Sequence, residues 1–248
     1  MAWRMVLRRN PVRSLTVVGD VAQTSSPAGA RSWKEMLGPV VRGRWREERL
    51  TVNYRTPAEI MVVAADVLAA VAPGERPPDS VRSEGVLPRA IRVRPTPAEA
   101  RTVNDIVNSS GKGESLSPAF ASSVAEVARA DLAELGGSDG GRLAVITPDA
   151  RAAELAAGIP EAIPGDRPES LDSPIALLTV SQAKGLEFDR VVLADPAGIM
   201  AQSPNGGHDL YVAITRATHR LTVVYAGDLP APLRSLNCQP SQPAPATP

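Results

Sequence analysis

Four short aliphatic runs constrain this chain more than any other feature: Arg142–Ile146, Ile175–Val180, Arg190–Leu193 and Leu221–Tyr225. Continuous apolar runs of this length read as strands buried on both faces, because a half-exposed strand would alternate apolar with polar residues. Helical stretches lie among them, at 148–157, opened by Thr147-Pro148, and at 207–217. Strands separated by helices predict an α/β fold with a mainly parallel sheet.

Further elements are expected upstream. Helices are predicted over 3–9 and over 30–37, the second carrying Trp33, Met36 and Leu37, and Leu15–Val18 reads as a short buried strand. Thr56-Pro57-Ala58-Glu59 has the form of a capping box with Pro at the first helical position. It predicts a helix to about Ala70 whose Ile60, Val63, Ala64 and Val67 share one face. A strand at Ala90–Val93 and a helix from about Ala119 to Leu135, ended by Gly136-Gly137, follow. Residues 73–90 and 104–118 read as polar surface loops, and the Pro-rich stretch 229–248 as a disordered tail.

Composition supplies exclusions. The 248 residues suffice for one large domain or two smaller ones. Lys plus Arg equals Asp plus Glu at 27 each, so no net field draws the chain to nucleic acid, and any DNA contact has to come from a local groove. The first 50 residues are locally basic. Aromatic residues make up only 3%, which leaves Ala, Val and Leu to build the core. One cysteine, Cys238, excludes an internal disulfide and a Cys-based zinc site and fits a reducing cytoplasm. No stretch suits a signal peptide or a membrane span, so a cytoplasmic chain with no membrane partner is expected.

Four stretches could carry chemistry. In Val17–Gln23 an apolar run ends in Gly19-Asp20, with Gln23 three residues on; Asp can reach metal-bound water and Gln can orient a phosphate, although a plain polar turn reads the same way. In Leu50–Pro57, Arg55 sits near a helix N-terminus, where a cation does not help the helix dipole, which hints at an anionic partner. Tyr54 beside it offers a stacking face, and a surface Arg next to a half-buried Tyr is the plainer alternative. In Ser181–Pro196, Thr179 ends the preceding strand, Gln182 and Lys184 follow, Gly185 allows close backbone approach, and Glu187 can accept from a ribose hydroxyl; a tight loop between core strands would also look like this. In Asp209–Thr218, Leu210, Ala213, Ile214 and Ala217 can form the inner face of a helix, with Tyr211 and Arg216 projecting elsewhere.

Taken in order, VGDVAQ, NYR, QAKGLEFD and YVAITRA resemble motifs III, IV, V and VI of the superfamily 1 UvrD/Rep-like helicases. The resemblance covers about residues 1–226, and VVGDVAQTSSPAGARSW with LTVNYRTPAEIM is most similar to the actinobacterial HelD-type branch, which acts on RNA polymerase. It implies a RecA-like (P-loop NTPase-type) sheet flanked by helices: residues 1–50 as the end of a first motor domain, 51–228 as the second motor domain, and 229–248 as the tail. It also implies roles. Gln23 would sense the γ-phosphate and Asp20 would couple nucleotide state to DNA. Tyr54 would pack by the base, Arg55 would contact the γ-phosphate, and Gly185 and Glu187 would lie by phosphates and ribose. Thr179 and Gln182 would face the DNA backbone, and Arg216 would be the arginine finger.

A P-loop of the form GxxxxGK[ST] does not occur in these residues: Gly111-Lys112 is followed by Gly113 and preceded five residues earlier by Ile106. No Asp-Glu pair ends an apolar strand before Asp20. The resemblance therefore implies that ATP and Mg²⁺ are held by a first motor domain outside this chain, that the Mg²⁺ ligands lie there too, and that the isolated chain does not hydrolyse ATP. The alternatives are a non-catalytic module that binds DNA or RNA polymerase, and an unrelated α/β nucleotide-binding enzyme.

Overall fold

The structure, a computed structural model, describes residues 2–12, 14–23, 32–41, 43–94, 118–137 and 140–238. The polar stretch 104–117, with Gly111-Lys112-Gly113, lies outside them, as does 239–248. Strands β1 (Val52–Asn53) and β2 (Asp79–Ser80) form a small parallel ribbon. The main sheet contains β3 (Arg89–Arg92), β4 (Leu143–Thr147), β5 (Ile163–Pro164), β6 (Ile175–Thr179), β7 (Phe188–Ala194) and β8 (Ala217–Tyr225). Their order is β3-β8-β7-β4-β6-β5, and every pairing is parallel. The expected α/β architecture, a parallel sheet flanked by helices, is what the chain adopts.

The aliphatic runs are buried on both faces, and their two-residue period divides them between two cores. Ala144, Ile146, Leu178, Val191 and Leu193 meet the helices Ala58–Val71 and Gly206–Ile214 through Ile60, Ala64, Val67, Leu210 and Ile214. Leu143, Val145, Leu177 and Val192 point the other way, onto Phe120 and Val124 of the helix Pro118–Glu134 and Leu155 of Ala152–Gly158.

One buried carboxylate ties the second layer to the sheet. Asp131, with no exposed surface, accepts hydrogen bonds from Arg89 Nη2 at 2.6 Å, Thr222 Oγ1 at 2.9 Å and Arg190 Nη1 at 3.3 Å. Arg220 Nη1 lies 3.5 Å from it, and Glu134, one turn on, takes second contacts from Arg190 and Arg220. Arg190 Nε is buried without a hydrogen-bond partner among the described residues.

Several expectations are corrected. Leu15–Val18 is no strand: Leu15 is 45% and Val18 84% exposed, and no described strand lies alongside to supply a ladder. The helix after Thr56 starts at Ala58 with Pro57 as its cap residue, so no capping box forms. Glu59 turns outward instead, accepting from Ser83 Oγ at 2.6 Å and the Gly85 N–H at 2.7 Å, which clamps the 83–85 loop to the helix. Residues 73–90, expected as loop alone, contain β2 and the start of β3. The tail is not free from residue 229: Leu229, Leu233 and Leu236 are buried, the last two in a 3₁₀ stretch over Ala231–Cys238, because their spacing puts them together against the outer side of the helix Ala58–Val71.

Candidate functional site

The three separated stretches around Gln23, Arg55 and Glu187 meet Arg216 at one place. Arg216 immediately precedes β8 and its carbonyl accepts from the Phe188 N–H, at the start of β7, at 3.0 Å. The cluster thus sits at the amino ends of β7 and β8. The carboxyl ends, where parallel sheets usually gather ligands, are the opposite edge.

Arg216 is only 4% exposed. Four hydrogen bonds hold it: Nε donates to the Val212 carbonyl at 3.1 Å, Nη1 to the Leu186 carbonyl at 3.1 Å, and Nη2 to Thr215 Oγ1 at 3.2 Å and Gln23 Oε1 at 3.4 Å. Next to Leu186, Gly185 adopts φ +77°, a left-handed conformation that strains any side-chain-bearing residue. Burial pushes the Arg216 guanidinium below its ordinary pKa and the Arg55 cation adds to this, while Glu187, Tyr211 and Asp20 act in the opposite sense.

Arg55 is held by Glu187, Nε to Oε1 at 2.8 Å, with the two side chains 46% and 40% exposed. Its backbone is fixed by Asn53, whose Oδ1 accepts from the N–H groups of Arg55 at 2.9 Å and Thr56 at 3.1 Å. Asp20 Oδ2 accepts from Gln23 Nε2 at 2.9 Å, and its Oδ1 from the Ala22 N–H at 2.8 Å, so one carboxylate shapes the 3₁₀ turn Val21–Gln23. That turn docks on the helix Gly206–Ile214, where His208 Nδ1 lies 2.8 Å from the Ala22 carbonyl oxygen. Two cations and two carboxylates, drawn from four separate stretches of the chain, gather here around the buried Arg216.

Residues 174–224 match the model of the UvrD-like helicase C-terminal domain. No curated protein matches the chain. Among solved structures, the C-terminal domain of a possible DNA helicase from Lactobacillus plantarum WCFS1 is similar at 19% identity and a TM-score of 0.51, covering 75% of this chain and 95% of that one. The likeness agrees with a RecA-like fold.

Within the matched residues 174–224 lie Gly185, Glu187 and Arg216; Gln23, Asp20 and Arg55 reach them from outside. Thr179 and Gln182, also within 174–224, are not part of the cluster. They close a capping box on the short helix Val180–Ala183 at the carboxyl end of β6, with the Thr179 N–H donating to Gln182 Oε1 at 2.9 Å. Tyr54 is 75% exposed beside Arg55. Asn53 stands inside the NYR stretch, where the sequence assigns it no role, and nothing local announces the contact of His208. A concavity of about 350 Å³ lies elsewhere, between Ala58, Val62, Leu87 and Leu236, and is mostly apolar, with Glu59 and Ser235 at its wall, so the charged cluster rather than this hollow is the candidate site. Among the described residues, no three His, Cys, Asp or Glu side chains converge to hold a metal ion, and no helix is long and apolar enough to cross a membrane.

Proposed function

We propose that this chain is the C-terminal motor part of an ATP-driven, UvrD-like DNA helicase or translocase. Residues 51–228 act as the second motor domain, with 1–50 as the end of the first. The observation that carries the reading is the convergence of Gln23, Arg55, Glu187 and Arg216 at the amino ends of β7 and β8. These residues fit the phosphate end of ATP in charge and in donor type, and they offer neither a backbone cradle nor a carboxylate set for Mg²⁺ among the described residues. ATP supplies the phosphoanhydride whose cleavage drives the cycle.

The chain's part is electrostatic. Arg216 and Arg55 offset charge that builds on the terminal phosphate, and a preset arginine is worth roughly 10³ to 10⁵ in rate in phosphoryl transfer. Gln23, held between Asp20 and Arg216, is placed to report the state of that phosphate to the 3₁₀ turn. Glu187 is assigned to the ribose hydroxyls, Gly185 to the neighbouring phosphates and Tyr54 to the base. Thr179 and Gln182, on the opposite edge, are assigned to the DNA backbone. The wording of the first third supports the HelD-type branch, with RNA polymerase as the body acted upon.

ATP turnover on single-stranded DNA tests the reading. The chain alone is expected to show none, and turnover should appear when a first motor domain carrying the P-loop and the Mg²⁺ carboxylates is supplied, then vanish in Arg216→Ala. Turnover by the isolated chain that Arg216→Ala removes would overturn the half-site assignment.

A further inference from the structure

We propose that Glu187 is a built-in stand-in for phosphate: it holds Arg55 while the site is empty, and Arg55 exchanges this carboxylate for a phosphate when an anion enters. The inference rests on the reading of Arg55 and Arg216 as phosphate-facing, and it adds a competition inside that site.

The two arginines differ in their freedom. Arg216 is buried and boxed by backbone carbonyls, Thr215 and Gln23, so its guanidinium is fixed. Arg55 has a fixed backbone, through Asn53, but its side chain is almost half exposed and its ion-pair partner among the described residues is Glu187. Arg55 is therefore the cation that can move. The unfavourable position of a cation ahead of the helix Ala58–Val71 calls for a compensating anion. Glu187 supplies one from across the fold, at 2.8 Å.

Charge makes the arrangement exclusive. Arg55 and Arg216 are balanced by Glu187 and Asp20, so an entering phosphate meets a neutral cluster. If Glu187 stayed in place, its carboxylate would face the new anion across Arg55, and like charges at that range oppose binding. Release of Arg55 removes the conflict. A pair this exposed holds its partner by no more than about fivefold, so a multiply charged phosphate can displace it. The same carboxylate, once freed, is available to a hydroxyl.

The test is tripolyphosphate binding to the full chain by titration calorimetry at low ionic strength. This probe has no ribose, so a ribose contact by Glu187 does not enter. Glu187→Gln is expected to tighten binding by about twofold to fivefold, with the gain shrinking at high salt as surface charges are screened. The gain should disappear when Arg55→Ala is added, while circular dichroism shows each variant folded. If Arg55→Ala weakens wild-type binding but Glu187→Gln leaves it equal or weaker, the competition is refuted and the phosphate site stands. If neither Arg55→Ala nor Arg216→Ala changes tripolyphosphate binding, the phosphate reading itself fails and the stand-in fails with it.

Discussion

Asp131→Ala should be among the most damaging single changes outside the aliphatic core. Asp131 is fully buried and serves Arg89, Arg190 and Thr222 at 2.6, 3.3 and 2.9 Å, with Arg220 at 3.5 Å. Removing one partner of a buried charge network typically costs about 3–5 kcal/mol, because the remaining charges are left uncompensated. The lower end applies here. Arg89 and Arg220 are 38% and 21% exposed and can rehydrate, and Glu134 still receives Arg190 at 2.9 Å. For a chain of this size each kcal/mol moves the midpoint by about 2–4 °C, so about 3 kcal/mol lowers it by about 6–12 °C. Glu134→Gln is the control: its side chain is 49% exposed, and solvent-screened pairs are worth about 0–1 kcal/mol, which limits the shift to about 4 °C. Thermal unfolding followed by far-ultraviolet circular dichroism reads both. Equal losses in the two variants, or an Asp131→Ala midpoint within 2 °C of wild type (roughly one screened pair's worth), would refute the assignment of Asp131 as the pin between helix and sheet.

Three further outcomes are expected. Leu233→Ala, at a side chain with no exposure in the supposed tail, should cost about 2–5 kcal/mol, and an unchanged denaturation midpoint would show that the tail does not join the core. Burial pushes the Glu59 carboxyl up, but the Ser83 hydroxyl and the Gly85 and Glu84 N–H groups outweigh it and leave it lowered. Its stabilising effect is therefore complete above the ordinary value of 4.5 and lost as the pH falls through the lowered one. Glu59→Gln should flatten the acid limb of a stability profile, and an unaltered limb would count against the clamp. Burial, aided by Asp20, pushes the Tyr211 hydroxyl up to about 12, so its contribution holds below the ordinary value of 10.0 and drains away as the pH climbs toward 12. Tyr211→Phe should remove that alkaline loss from the unfolding midpoint.

The sheet was legible because burial on both faces leaves a mark in a single sequence: β4, β6 and β7 have no polar face to disguise them. Leu15–Val18 carries the same mark and is not a strand, since an apolar run becomes one only beside a neighbour that accepts its ladder. The tail failed in the opposite way. Its prolines hid three leucines at 229, 233 and 236, spaced to share one side of a helical turn. The members of the charged cluster could be named from four ordered stretches, but their pairings could not. That Glu187 takes Arg55, and that backbone carbonyls box Arg216, depends on which strands lie side by side, which no local pattern encodes.

The edge on which the cluster sits bears on what it can do. At the carboxyl edge of a parallel sheet, helix N-termini and loop N–H groups draw phosphate in. Here Arg216 follows the carboxyl end of the helix Gly206–Ile214 and donates to its Val212 carbonyl, so that helix turns its negative end to Arg216, which steadies the cation and opposes a free anion, while the positive end of the helix Ala58–Val71 lies beside Arg55. Glu187 and Asp20 oppose it further. Such a cluster attracts an isolated phosphate only weakly; Arg216 is held at a set position, while the half-exposed Arg55 is free to turn toward an entering anion. Weak intrinsic affinity beside a preset Arg216 suits the half-site proposed above: on that reading the site fills most readily when a partner delivers the phosphate, and the charge is stabilised without rearranging Arg216.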